Sequence, residues 1–251
     1  MRRLLRPWRL ALFALVLSSV ANSAQESGSP ADAVTAVTSY QQPLPPPVVA
    51  KSSKASRLAS LSASQCWAEL GRRKLTGVTR FKGAKAGVAA PVRLTGPING
   101  VRFLTPGARS PYGVLDCRLA VTLAELAQVL RRHDVIEVRV DNMYRPRARL
   151  PGRRKPSQHS YGLAIDMTRF KLADGSELII ERDFEGAIGE PVCGTGARAE
   201  LSLAATRLRD LICDVARSEL FHHILTPNHD AAHRDHFHLD IARGARQRII
   251  E

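Results

Sequence analysis

Near the C-terminal end the chain reads Asp235-His236-Phe237-His238-Leu239-Asp240-Ile241, and this alternation leaves it little conformational choice. Successive side chains of an extended strand face opposite sides. Phe237, Leu239 and Ile241 therefore share one face, and His236, His238 and Asp240 share the other. Such a segment is satisfied as a strand with its apolar face on a core and its imidazoles turned to a cleft. We expect a strand over Phe237–Ala242. Histidine is concentrated in the same region, where His222, His223, His229, His233, His236 and His238 are six of the eight in the chain.

A second segment belongs with the first. It reads Ser157-Gln158-His159-Ser160-Tyr161-Gly162-Leu163-Ala164-Ile165-Asp166. Its apolar run predicts a strand over Tyr161–Thr168, with Gly162, Ala164 and Asp166 on one face. The two small residues leave room beside the carboxylate. An unpaired carboxylate in an apolar strand is costly to bury, and a nearby cation offsets that cost. His159 lies in the loop leading in. Two imidazoles and one carboxylate form a catalytic zinc set whose fourth position is left to water. An iron oxygenase uses the same donor types but carries His-x-Asp, whereas His159 and Asp166 lie seven apart.

The remaining pattern is mixed. Apolar residues at helical spacing predict helices over Leu119–Arg132 and Leu201–Val215, and a shorter one over Ser62–Leu70. Alternation predicts a strand over Val135–Asp141, and further strands are expected at Leu178–Glu181 and Phe221–Leu225. Helices and strands without regular alternation indicate an α+β fold, a small antiparallel sheet flanked by helices. Residues 25–57 are rich in Ala, Ser, Pro and Gln and lack an apolar face, which predicts a semi-extended tether. The folded domain is then expected over 58–251.

Residues 1–24 combine a basic start, a short apolar run from Leu10 to Leu17 and small residues at Val20–Ala24, the layout of a secretory signal peptide. Export makes Cys66, Cys117, Cys193 and Cys213 readable as two disulfides. Three pairings are possible, and Cys66–Cys117 with Cys193–Cys213 keeps each loop within one half of the domain. The absence of a Cys-x-x-Cys pair speaks against a structural zinc site built on thiolates.

Ser157-x-His159-x-x-Gly162-x-Ala164-x-Asp166, followed by His236-x-His238, resembles the paired signature of the zinc D-alanyl-D-alanine peptidases, whose structural relatives include murein endopeptidases and the hedgehog signalling domain. From about Cys66 onward, behind a Pro-rich stretch, the chain is also similar to the extensin-like C-terminal domain family of exported bacterial proteins. The resemblance implies that His159, Asp166 and His238 bind zinc. It implies that Arg145, in Tyr144-Arg145-Pro146, stabilises an oxyanion, that Tyr144 contacts substrate, and that Ser157 contacts substrate or orients a ligand. Dipeptidase-type members place a Glu where Asp235 stands, and endopeptidase-type members place a His where His236 stands, so the general base is His236 or Asp235. His233 and Asp240 are candidates for orienting the ligands.

Lys and Arg number 37 against 23 Asp and Glu, a formal net charge of +14, which attracts polyanions. Export, the scarcity of aromatic residues and the lack of a recognised motif weigh against nucleic acid. The expected partner is peptidoglycan, reached in the periplasm or cell envelope with no membrane span after signal cleavage. The expected activity is hydrolysis of stem peptides or cross-links. The alternative is a non-catalytic zinc-containing wall-binding protein.

Overall fold

The structure is a computed structural model that describes residues 38–48, 51–107 and 110–251. The expected signal segment and the first part of the expected tether lie outside these residues.

Two short helices, α1 (Lys54–Ser60) and α2 (Ala63–Arg72), come first. Ser62 starts α2 as a capping box, its hydroxyl accepting from the Gln65 amide while the Gln65 side chain accepts from the Ser62 amide. Strands β1 (Val78–Arg80), β2 (Pro91–Leu94), β3 (Arg102–Leu104) and β4 (Val114–Asp116) follow. Helix α3 (Cys117–Arg132) leads into β5 (Val135–Val140). Then come β6 (Ala164–Leu172), β7 (Glu177–Ile179), α4 (Ile180–Asp183) and α5 (Leu203–Arg217). The chain closes with β8 (His223–Leu225), β9 (Phe237–Asp240) and β10 (Ile249–Ile250).

β1, β2 and β4 form a three-stranded sheet. The larger sheet runs β10-β8-β9-β6-β5-β3, with β7 also on β6. Its centre is antiparallel, while the β3–β5 and β10–β8 pairs are parallel. The α+β expectation holds, with a sheet larger than the small one expected and parallel at its two ends. β6 is long enough to pair with β9 along Ala164–Met167 and with β7 along Arg169–Lys171. Helix α3 is the hub of the core. Leu119, Leu123, Leu126 and Leu130 are fully buried, as are Ala120, Val121 and Ala124 between them, so more than one face of the helix is packed.

Cys66–Cys117 ties α2 to the start of α3, and Cys193–Cys213 ties the loop before α5 to that helix. This is the preferred pairing. Both bonds fit an oxidising compartment, and no helix among the described residues is long and apolar enough to cross a membrane.

The tether expectation fails over residues 38–48 and 51–57. Tyr40 is 1% exposed, its amide donates to Asp210 at 2.8 Å, and its hydroxyl lies 3.0 Å from the Arg198 carbonyl. Arg248 donates its amide to Pro47, and α1 starts at Lys54, before the expected boundary. One buried aromatic and main-chain bonds hold this segment, so it needs no periodic apolar face. The strand expected from Tyr161 begins at Ala164, because Gln158–Tyr161 forms a 3-10 turn. The strand expected over Leu178–Glu181 stops at Ile179, where α4 takes over.

Candidate metal centre

Strands β6 and β9 supply two of the three predicted ligands. Asp166 and His238 are register partners across the β6–β9 ladder, so their side chains leave the same face of the sheet side by side. The opposite face of β9 holds Phe237, Leu239 and, just beyond it, Ile241, all fully buried.

His159 arrives on the 3-10 turn. Ser157 caps that turn, its Oγ accepting from the His159 amide at 3.3 Å. Gly162 ends it in the left-handed region, at φ +65°. A Cβ on Gly162 would stand 2.8 Å from the Asp116 amide nitrogen, so glycine is required both by conformation and by the approach of β4. The Asp116 amide in turn donates to the Gly162 carbonyl at 2.8 Å. Gly162 is therefore a turn residue and does not share a strand face with Ala164 and Asp166.

The three donor atoms converge. His159 Nε2 lies 3.1 Å from Asp166 Oδ1 and 3.1 Å from His238 Nδ1, and His238 Nδ1 lies 2.9 Å from Asp166 Oδ1. All three residues are buried. A tetrahedral zinc with bonds of roughly 2.0–2.1 Å has donor–donor edges of about 3.3 Å, so the triangle is close to one face of that tetrahedron. Two imidazole nitrogens and a carboxylate oxygen aimed at one point repel unless a cation or a shared proton lies between them. The donor set fits zinc.

Surrounding groups fix the triangle. Asp240 Oδ2 lies 3.2 Å from His238 Nε2, and its Oδ1 lies 2.7 Å from His223 Nδ1. This carboxylate-backed imidazole is the usual support for a metal-binding histidine. Asn142, just past β5, donates to Asp166 Oδ2 at 2.8 Å. His159 is less supported, for its buried Nδ1 meets no partner among the described residues.

Titration reflects the same packing. Burial pushes His238 down, but hydrogen bonds to Asp166 and Asp240 overcome it and raise the imidazole to about 9. Burial pushes Asp240 up, but its bonds to His223 and His238 bring it to about 2. His159 is lowered, burial outweighing its bond to Asp166. Asp166 is held well below the usual carboxylate range by its two imidazole partners, against the effect of burial.

The two candidate bases turn out to be partners. His236 Nε2 faces Asp166 Oδ1 at 3.7 Å, while its Nδ1 lies 2.7 Å from Asp235 Oδ1. His236 is 16% exposed and Asp235 62%, so the pair stands where the buried triangle meets solvent. Arg145 is exposed, and its amide donates to the His159 carbonyl at 3.0 Å. His233 packs its ring on His236 and His238, with centroids 5.1 and 5.9 Å away, and its Nδ1 goes to Asp230.

The expected substrate contact at Tyr144 is corrected, and of the two roles expected of Ser157 the packing supports orienting a ligand. Tyr144 is buried with Val88 and Val114, and its hydroxyl donates to the Ala86 carbonyl at 2.9 Å, so it shapes the wall behind the site. Ser157 is buried and spends its hydroxyl on the cap, so it orients His159. Sequence reasoning missed Asn142, because only the β5–β6 pairing brings it beside Asp166. It also missed Asp116, whose carboxylate accepts from the Ala89, Ala90 and Arg118 amides and pairs with the Arg118 guanidinium. That ion pair anchors β4 and α3 behind the His159 turn. A cavity of about 390 Å³ lined by Arg132, His133, Asp174 and Arg207 shares no residue with the triangle.

The profile of the family described as Extensin-like protein C-terminus matches residues 64–250. No curated protein and no solved structure matches the chain.

Proposed function

The chain belongs to the extensin-like protein C-terminus family, and from that premise we propose that it is an exported zinc metallopeptidase of the periplasm, cleaving peptide bonds in peptidoglycan stem peptides or cross-links. The observation that supports this reading is the convergence of His159 Nε2, Asp166 Oδ1 and His238 Nδ1 beside the solvent-facing pair His236 and Asp235. The signature shared with the D-alanyl-D-alanine peptidases and their hedgehog-like relatives extends the proposal to that fold.

His159, Asp166 and His238 would hold the ion. Bound there, zinc supplies a Lewis acid for the scissile carbonyl and acidifies water to a pKa of roughly 7. His236 is the base of this reading. With Nδ1 held by Asp235, its Nε2 is free to take a proton on the triangle side and return it to the leaving amine. Asp235, bonded to that imidazole, positions it. Arg145 is tied through its backbone to His159, and its guanidinium offers positive charge to a developing oxyanion. The formal charge of +14 favours residence on an anionic sacculus.

The test is digestion of purified sacculi by zinc-loaded protein, by His159→Ala and by His236→Ala. The expected result is new muropeptides from the wild type, none from His159→Ala, and a rate reduced by about 10²–10⁴-fold in His236→Ala. Stoichiometric zinc and sacculus binding without any cleavage would establish the wall-binding alternative instead.

A further inference from the structure

The loop between β8 and β9 gathers a second set of metal-type donors. His229, Asp230 and His233 each offer one donor atom, and these lie within 4.8 Å of one another. The backbone fixes the carboxylate, since Asp230 caps the 3-10 turn Ala231–His233 and its Oδ1 accepts from the Ala232 amide at 2.9 Å and the His233 amide at 3.2 Å. An imidazole then stands at each oxygen. His233 Nδ1 is 2.7 Å from Oδ1, and His229 Nε2 is 3.6 Å from Oδ2. Behind His229, Nδ1 lies 2.9 Å from Glu251 Oε2, the same carboxylate backing that Asp240 gives His238. The rings of His229 and His233 meet edge to face, and His233 also packs on His238.

We propose that His229, Asp230 and His233 form a second, weaker site for a divalent transition metal of the zinc class, sharing its His233 wall with the first. Imidazole nitrogen with one carboxylate selects zinc-class ions over magnesium or calcium, which take all-oxygen sets. The site is weaker because His229 Nε2 stands 3.6 Å from Asp230 Oδ2, wider than the 2.9–3.1 Å edges of the triangle, and because all three residues are only half-buried. The inference requires no peptidase activity.

Zinc titration of the metal-free protein, by calorimetry and by bound-metal analysis, tests it. Two equivalents are expected, the second weaker by about 100-fold. His229→Gln/His233→Gln should keep the tight equivalent and lose the weak one, whereas His159→Ala should do the reverse. Glu251→Gln leaves all three donors in place and should weaken only the second equivalent, by about 10-fold. Absence in the wild type, up to about 1 mM free zinc, of any equivalent that His229→Gln/His233→Gln removes overturns the proposal. So does a weak equivalent that survives in the double variant. Loss of the tight equivalent alone would count against the triangle and leave this site standing.

Discussion

Replacing Asp240 with Asn tests the support behind His238. One carboxylate holds two imidazoles there, His238 at 3.2 Å and His223 at 2.7 Å. Burial opposes the charge on His238, yet the bonds to Asp166 and Asp240 lift it from 6.5 to about 9. At 1.36 kcal/mol per pKa unit that lift is worth about 3 kcal/mol. Asp240 supplies part of that lift beside Asp166, so its removal should lower the His238 value by about one pKa unit. In the Asn variant, zinc should therefore bind about 10–100-fold more weakly at about pH 9.5, where His238 is neutral in both proteins. The sign of the pH dependence follows from proton competition. Below the folded His238 value the metal must expel a proton, so wild-type affinity falls about tenfold for each pH unit. The variant holds that proton less tightly, so the gap should narrow by about tenfold towards pH 7. Competition against a chelator of known affinity across this pH range measures both quantities. Equal affinities at about pH 9.5, or a gap that widens towards pH 7, would refute the reasoning.

His222 is buried, its Nδ1 accepts from the Ala242 amide at 2.9 Å, and burial lowers its pKa to about 4. Its neutral form is the folded form, so stability is intact above about pH 6.5 and falls by about 3 kcal/mol as the pH drops to 4; urea unfolding of the metal-free protein should show this loss and His222→Asn should lack it. Replacing both cysteines of the Cys66–Cys117 pair should cost about 4 kcal/mol, against about 3 kcal/mol for Cys193–Cys213, because the first closes the longer loop. Denaturant midpoints that reverse this order would argue against the chain-entropy account. Gly162→Ala should lose more stability than Gly152→Ala, because both sit at φ +65° but only Gly162 would meet backbone, at Asp116. The backbone conformation alone costs about 1–2 kcal/mol in each, and equal losses in thermal unfolding would remove the role given to the β4 contact.

The strand around His238 was legible because a period of two on both faces has one reading, and Phe237, Leu239 and Ile241 are buried as that period requires. The long helices were legible for the same reason, although α5 is displaced by two residues from the expected range. The packing of Tyr40 was not legible, since a single aromatic held by Asp210 and two carbonyls leaves no periodic trace. The start of β6 was misplaced because Gly162 reads as a small strand residue until β4 is seen against it.

By itself the sequence determined the donor types and the elements that bear them: an imidazole before a turn, a carboxylate in an apolar strand and an imidazole on an alternating one. Local residue order sets those features, through side-chain period and turn chemistry. Only the tertiary structure decided which atoms meet. The β6–β9 register sets Asp166 beside His238, and the β4 contact seats the turn that brings His159 to them. It also decided that Asp235 and His236 are bonded to each other, that Tyr144 and Ser157 face inward, and that Asn142 and Asp240 hold Asp166 and His238. Those outcomes depend on contacts between residues far apart in the chain, whose distances are set by strand pairing and core packing.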